Sequence, residues 1–346
     1  MKRFLQISSF LLLVSCSKEK IPTALEDMTI LDTKGYEIFT SVGDNSCITE
    51  DGFFIINSVQ NGLVRFDLNS YSYGSDFSVF NPPHNEFWKG GGSMLYHNDL
   101  IYYVREDSIF VYEPGTDSLN KPDRIIRIGA GETIRMIDVE GDKLYATDDY
   151  KNIYIADLTG IDSVKYDTTV FVASFNSSVA TSNYQLILDY HNGYLFLESD
   201  RGIDIADVSD PTNTTIVATI GGGSMAEFRI DGNFLYLVGS QVHGDNLQVY
   251  DITNPADPNL LIALPYIGQE MLIIHERNEL LVQQAEKIRV FDISDPKTIK
   301  KKAIYSINGL FYNNLLGDME VRGNLLYLVS GVEVSSGIVA FSFPSE

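Results

Sequence analysis

Acidic residues at recurring places are the first candidates for chemistry. Glu132, Glu227, Glu270 and Asp318 each open a short alternating apolar run that ends in a turn. Glu227 and Asp318 stand at the same distance ahead of the turn glycines Gly232 and Gly323, whereas Glu132 stands further from Gly141. Oxygen ligands gathered in a ring suit a hard cation such as Ca2+, with Glu227 and Asp318 as its metal ligands. The other reading is a set of solvated acids at a channel mouth, and the residues leave both open.

A second group mixes aromatic rings with amides. Residues 81–92 (NPPHNEFWKGGG) hold the single tryptophan, Trp88, with His84 and Phe87. Residues 307–317 (INGLFYNNLLG) carry Tyr312 and Asn313, and residues 239–246 (GSQVHGDN) carry His243. Flat apolar surface beside hydrogen-bonding tips suits stacking on a sugar or gripping a peptide. Trp88, His243, Tyr312 and Asn313 are therefore the candidate ligand-binding residues. The alternative is that these rings plug their own loops. No nucleophile elbow, metalloprotease helix, phosphate-binding glycine loop or paired-cysteine motif occurs, so no catalytic residue is assigned.

The elements that must position these groups are read from a repeat. LVRFDLN places Asp67 at a strand end, IFVYEPG places Glu113, and IYIADLT places Asp157. IADVSDP gives Asp207, VYDITNP gives Asp251, VFDISDP gives Asp292, and IVAFSFP has Ser342 instead. The steps are 46, 44, 50, 44, 41 and 50 residues. Alternation such as Leu63, Arg65, Asp67 against Val64, Phe66 has strand period. Units of this length, all strand and turn, predict an all-β fold, a seven-bladed β-propeller of four-stranded blades. The seventh unit stops after its third strand, while GYEIFTS, residues 35–41, has no unit of its own. That orphan predicts a ring closed by an N-terminal strand.

Asp207, Asp251 and Asp292 each precede a turn, where a carboxylate accepts a nearby backbone N–H, so they are read as structural. Short turns (Asp51-Gly52, Asp231-Gly232, Arg322-Gly323) and the Asp-Pro turns share one end of the ring. The longer connections share the other end, where binding loops on a rigid scaffold are expected.

Residues 1–15 (MKRFLQISSFLLLVS) have a basic start and an apolar run too short to span a bilayer, the pattern of an export signal. Leu13-Val14-Ser15-Cys16 resembles a bacterial lipobox, which makes Cys16 the lipidation site. Residues 16–34 then form the lipidated cysteine and a tether, and residues 35–346 the propeller. Cys47, without a partner, is read as a buried strand thiol near the channel. The net charge is −22, which argues against nucleic acid as a partner.

The motifs GIDIADVSDP (202–211), NLQVYDITNPADP (246–258) and KIRVFDISDP (287–296) resemble the repeat of the LVIVD-repeat β-propellers. The resemblance covers residues of about 190–300. It implies a bacterial or archaeal propeller, often at the cell surface, and no defined activity. With the lipobox-like Cys16 the chain resembles a Bacteroidetes-like bacterial lipoprotein, and Ser17 after the cysteine implies, by resemblance to such lipoproteins, outer-membrane attachment, surface-exposed or periplasmic. Two functions remain: a binding or scaffold module for a glycan, peptide or protein, and a propeller hydrolase or lyase acting on polysaccharide.

Overall fold

The computed structural model describes residues 28–344, apart from the segments 31–32, 40–42, 59–61, 69–76, 81–92, 106, 114–121, 128–132, 149–151, 159–167, 170–172, 177–187, 200–201, 211–212, 222–224, 240–245, 285–286, 307–315 and 331–335. The described strands form seven sheets, each built around an antiparallel meander. The fold is an all-β β-propeller. We number the sheets 1 to 7 in chain order. Their inner strands are Gly43–Ile48, Met94–His97, Ile134–Glu140, Leu188–His191, Met225–Asp231, Glu270–Ile274 and Leu316–Arg322.

Each inner strand contacts the inner strand of the next sheet, and that of sheet 7 contacts that of sheet 1. The core is divided accordingly. Between sheets 5 and 6, Tyr236, Val238, Leu247 and Val249 meet Met271, Leu280, Val282 and Phe291. Between sheets 6 and 7, Leu281, Ile288 and Val290 meet Met319, Leu326 and Leu328. Phe66 of sheet 1 meets Tyr327, Val329 and Ala340 of sheet 7.

This packing explains the sequence pattern. A sheet pressed on both faces needs apolar side chains on both, so its middle strands lose the polar alternation. The middle strands Phe234–Gly239 and Glu279–Gln284 are buried almost throughout. The outer strand Asn259–Leu264 is largely exposed.

The repeat landmarks fall where the sheets require them. Asp67, Asp157, Asp207, Asp251, Asp292 and Ser342 each close the third strand of a sheet, and Glu113 follows directly after one. Asp207 accepts the backbone N–H of Ser209 at 3.0 Å, Asp251 that of Thr253 at 2.9 Å, and Asp292 that of Ser294 at 3.0 Å. The serine hydroxyls also donate to Asp207 and Asp292, both at 2.6 Å. These bonds set the chain direction into the following turn.

The N-terminal strand Thr33–Phe39 pairs antiparallel with the last strand, Ser336–Ser342. It supplies the outer strand of sheet 7 and ties the two ends of the chain together.

Three features depart from the sequence reading. The strand begins at Thr33 rather than residue 35, and Met28–Ile30, assigned to the tether, forms a strand parallel to the end of Lys300–Ser306. Thr168–Thr169 likewise runs parallel to Arg124–Arg127. Sheets 2 and 6 therefore have five strands rather than four. Both additions satisfy an outer edge whose backbone would otherwise stay unpaired.

Candidate functional site

The site is built on one rung of the inner strands. The third residue of each middle strand pairs with an inner-strand residue: Cys47 with Ile55, Leu95 with Tyr102, Asp138 with Tyr145, and Asp189 with Phe196. The series continues with Arg229 opposite Tyr236, Leu272 opposite Leu281, and Glu320 opposite Tyr327. Around the ring this level reads Cys, Leu, Asp, Asp, Arg, Leu, Glu. Nearer the long-loop end stand Glu227 opposite Val238 and Glu270 opposite Gln283. Asp318 joins them from a bulge between Leu316 and Met319.

Arg229 is the positive centre. It forms an ion pair with Glu227, and the charges of Asp318, Glu270 and Asp189 also act on it. These groups come from sheets 4, 5, 6 and 7, so they face one another across the channel. The Arg229 side chain is 37% exposed by area, on an inner strand of the ring. Burial opposes its charge, and the surrounding carboxylates outweigh that, so its pKa lies above the usual value.

One arginine cannot neutralise the acids around it. Burial raises the pKa of Glu227 to about 7, against the pull of Arg229. Burial and the charge of Asp138 raise Asp189 to about 7. Burial, then Glu227 and Asp318, hold Glu270 well above the usual carboxylate range. Glu320 is pushed well up by burial and by Asp318, and Asp138 and Asp318 are raised by burial. Like charges in a poorly solvated space resist ionising together, so these acids hold their protons to higher pH than free carboxylates do.

The same carboxylates join sheets. Asp318 Oδ2 accepts the backbone N–H of Ser46 at 3.0 Å and its hydroxyl at 3.3 Å, across the seam where sheet 7 meets sheet 1. Asp138 Oδ2 accepts the backbone N–H of Tyr190 at 2.6 Å, from sheet 3 to sheet 4. Asp189 accepts the backbone N–H of Ile230 in sheet 5. Tyr145 stacks on Tyr190 with ring centroids 4.7 Å apart.

Glu227, Glu270 and Asp318 lie near enough for their charges to act on one another, and Glu132 lies outside the described residues. Among the described residues no three His, Cys, Asp or Glu side chains are placed to share a metal ion, and the cation at the centre is Arg229. Cys47 is a buried free thiol at the same rung, its pKa raised by burial, then by Glu320 and Asp318. Cys16, Trp88, His243, Tyr312 and Asn313 lie outside the described residues.

Asp138, Asp189, Arg229 and Glu320 were missed in the sequence. Each stands two residues before the end of its inner strand. Counting back from the turn, rather than forward from the strand start, aligns them, because the bulges lie near the strand starts.

A closed ring of sheets whose inner strands touch their neighbours defines a β-propeller, and known structures share that fold. The chain is similar to one in the mitotic checkpoint complex, at 9% identity and TM-score 0.65, covering 99% of each chain. It is similar to the β-propeller domain of Cps50 (Swd1) from Myceliophteria thermophila, at 11% identity and TM-score 0.62, over 91% of this chain and 100% of that one. The WD40 β-propeller domain of Doa1 matches at 11% identity and TM-score 0.61, over 90% and 98%. At these identities the likeness is one of fold alone. No protein-family model matches the chain, and no curated protein matches it in sequence.

Proposed function

We propose that this chain is a seven-bladed propeller of the LVIVD-repeat kind that works as a binding or scaffold module. It is held at the outer membrane through a lipid on Cys16, facing the surface or the periplasm. The unbroken order of contacts from sheet 1 to sheet 7 and back supports seven blades. The observation that carries the binding role is the length of two inter-sheet connections at one end; the third-to-fourth-strand connections at the opposite end, residues 68–76, 113–123 and 158–172, are long as well. At one end the inner and middle strands are joined by turns as short as residues 141–142, 232–233 and 323–324. At the other, residues 81–93 join sheets 1 and 2, and residues 307–315 join sheets 6 and 7. Ring geometry needs no such length there, so the extra chain has a use in recognition.

The ligand, a glycan, peptide or protein, is assigned to the connections whose sequences carry Trp88, His243, Tyr312 and Asn313. A chain of the same fold belongs to the mitotic checkpoint assembly, which favours a protein partner. The test is a panel of glycans and peptides titrated against the parent and the Trp88→Ala, Tyr312→Ala double variant. Loss of about 2 kcal/mol or more of binding, with Tm unchanged, is expected from two central aromatic anchors. Equal affinity in the double variant refutes the reading.

A second reading, a hydrolase or lyase acting on polysaccharide, draws on Glu227 and Asp189. Acids with pKa values near 7 suit general acid catalysis. It requires polysaccharide cleavage by the parent that Glu227→Gln abolishes.

A further inference from the structure

The rim of sheet 6 differs in charge from the rims of sheets 4 and 5. In all three, a segment of eleven residues runs from the landmark acid through the turn and into the outer strand. Residues 207–217 (DVSDPTNTTIV) and 251–261 (DITNPADPNLL) each carry two acids and no base. Residues 292–302 (DISDPKTIKKK) carry two acids and four lysines, in a chain with 25 basic and 47 acidic residues. Ile299 is buried against sheet 5, while Lys297, Lys300, Lys301 and Lys302 are exposed.

The acids of this segment are engaged within it. Asp292 accepts from Ser294, and Asp295 accepts the Lys297 backbone N–H at 3.1 Å and the Thr298 hydroxyl at 2.7 Å. Lys302 Nζ meets Glu279 Oε1 at 2.6 Å, whereas Lys297, Lys300 and Lys301 form no ion pair among the described residues.

The same rim receives the N-terminal chain. Met28 pairs with Ile304, Thr29 with Tyr305 and Ile30 with Ser306, all in parallel. Lys300 pairs with Asp292, and Asp292 with Glu279, the first residue of the middle strand. The lysines therefore stand at the end of the ring that carries the inner-to-middle turns, and Ser306 lies toward the long-loop end. Parallel pairing points the N-terminus of Met28–Ile30 toward the lysines. Cys16 lies twelve residues before Met28, a reach of at most about 43 Å.

We propose that the lysine rim of sheet 6 rests on anionic phospholipid headgroups beside the lipid anchor and turns the long-loop end away from the bilayer. The proposal rests on Cys16 being that anchor. An anionic surface attracts lysines that come within about a Debye length of it and repels the acidic rims of sheets 4 and 5. Together these forces select one orientation for a chain whose net charge, −22, opposes every other approach. In that orientation the long-loop end is open to a partner.

The chain from Cys16 to Glu346, which holds every described residue, is coupled through Cys16 to a maleimide-bearing lipid in vesicles; Cys47 is 8% exposed and does not compete. One set of vesicles is phosphatidylcholine, and the other is phosphatidylcholine mixed with phosphatidylglycerol. Lysines are then acetylated with a water-soluble ester and scored by mass spectrometry. Lys297, Lys300 and Lys301 should be labelled at least about fivefold less on the anionic vesicles. High salt should restore their labelling. Lys287, exposed at the long-loop end of the same sheet, should be labelled alike on both. Lys302, 51% exposed, serves as reporter: protected in the parent, it should be labelled alike on both vesicles in the Lys297→Gln, Lys300→Gln, Lys301→Gln variant. Equal labelling of Lys297, Lys300 and Lys301 on the two vesicles overturns the proposal. Protection of Lys287 to the same degree, or of Lys302 in the variant, also overturns it. The maleimide lipid itself supplies the anchor, so failure here is distinguishable from failure of Cys16 lipidation, which fatty-acid labelling in cells decides.

Discussion

Raising the pH from about 5 to about 8 should lower the melting temperature of the propeller, through the carboxylates of its channel. Glu227 is one such group: it is 7% exposed and burial raises its pKa to about 7. In the unfolded chain the same group ionises near the ordinary glutamate value, about 4.3. Between those values the folded protein binds more protons than the unfolded one, so stability falls as pH rises. The contribution is fully present below the unfolded pKa and is lost as pH passes through about 7. At about 1.4 kcal/mol per pKa unit, the loss is on the order of 3 kcal/mol. For a chain of this size that corresponds to a fall of about 5 °C in Tm. Asp189, raised to about 7, and the other raised carboxylates act in the same direction. The assay is a series of calorimetric melts across this window on the parent, Glu227→Gln and Asp189→Asn. Each variant removes one titrating group and should flatten the curve. A parent Tm that is constant or rises over the window, or variants with the parent's slope, would refute the reasoning.

Other consequences follow from the packing. Gly202 has φ +129°, and a side chain there would strike the Ile220 carbonyl oxygen, so Gly202→Ala should cost about 3 kcal/mol in chemical denaturation; a parent-like midpoint would contradict the geometry. Asp292→Ala removes the acceptor for the Ser294 backbone N–H and hydroxyl, and should lower Tm without altering any ligand affinity; lost affinity at unchanged Tm would show a binding role instead. Deleting residues 17–42 removes the strand paired with Ser336–Ser342 and the strand paired with Lys300–Ser306, and should abolish the parent's cooperative melt; a truncated protein that melts like the parent would show that neither strand closes the ring. Cys16→Ala should abolish labelling by a metabolically supplied fatty acid, and equal labelling would end the lipid-anchor proposal.

The repeat was legible because the landmark acid and its turn recur for a local reason: a strand end needs a side-chain acceptor for the next backbone N–H, as in Asp207, Asp251 and Asp292. The N-terminal strand was legible as an orphan of that repeat. Met28–Ile30 and Thr168–Thr169 were not, because strands of three and two residues carry no period and form only where a distant edge accepts them. Half of the channel group was legible as recurring acids. Arg229 was hidden because a single arginine in an alternating strand reads as an exposed position, and only the closed ring brings Glu227, Glu270, Asp318 and Asp189 against it.

The most direct test of the binding role is amide hydrogen exchange on the whole protein, with and without the best ligand from the glycan and peptide panel. The account predicts new protection in residues 81–92, 240–245, 265–269 and 307–315, all at the long-loop end. Protection confined to the opposite end, in residues 51–52, 209–213, 232–233 and 323–324, would contradict it.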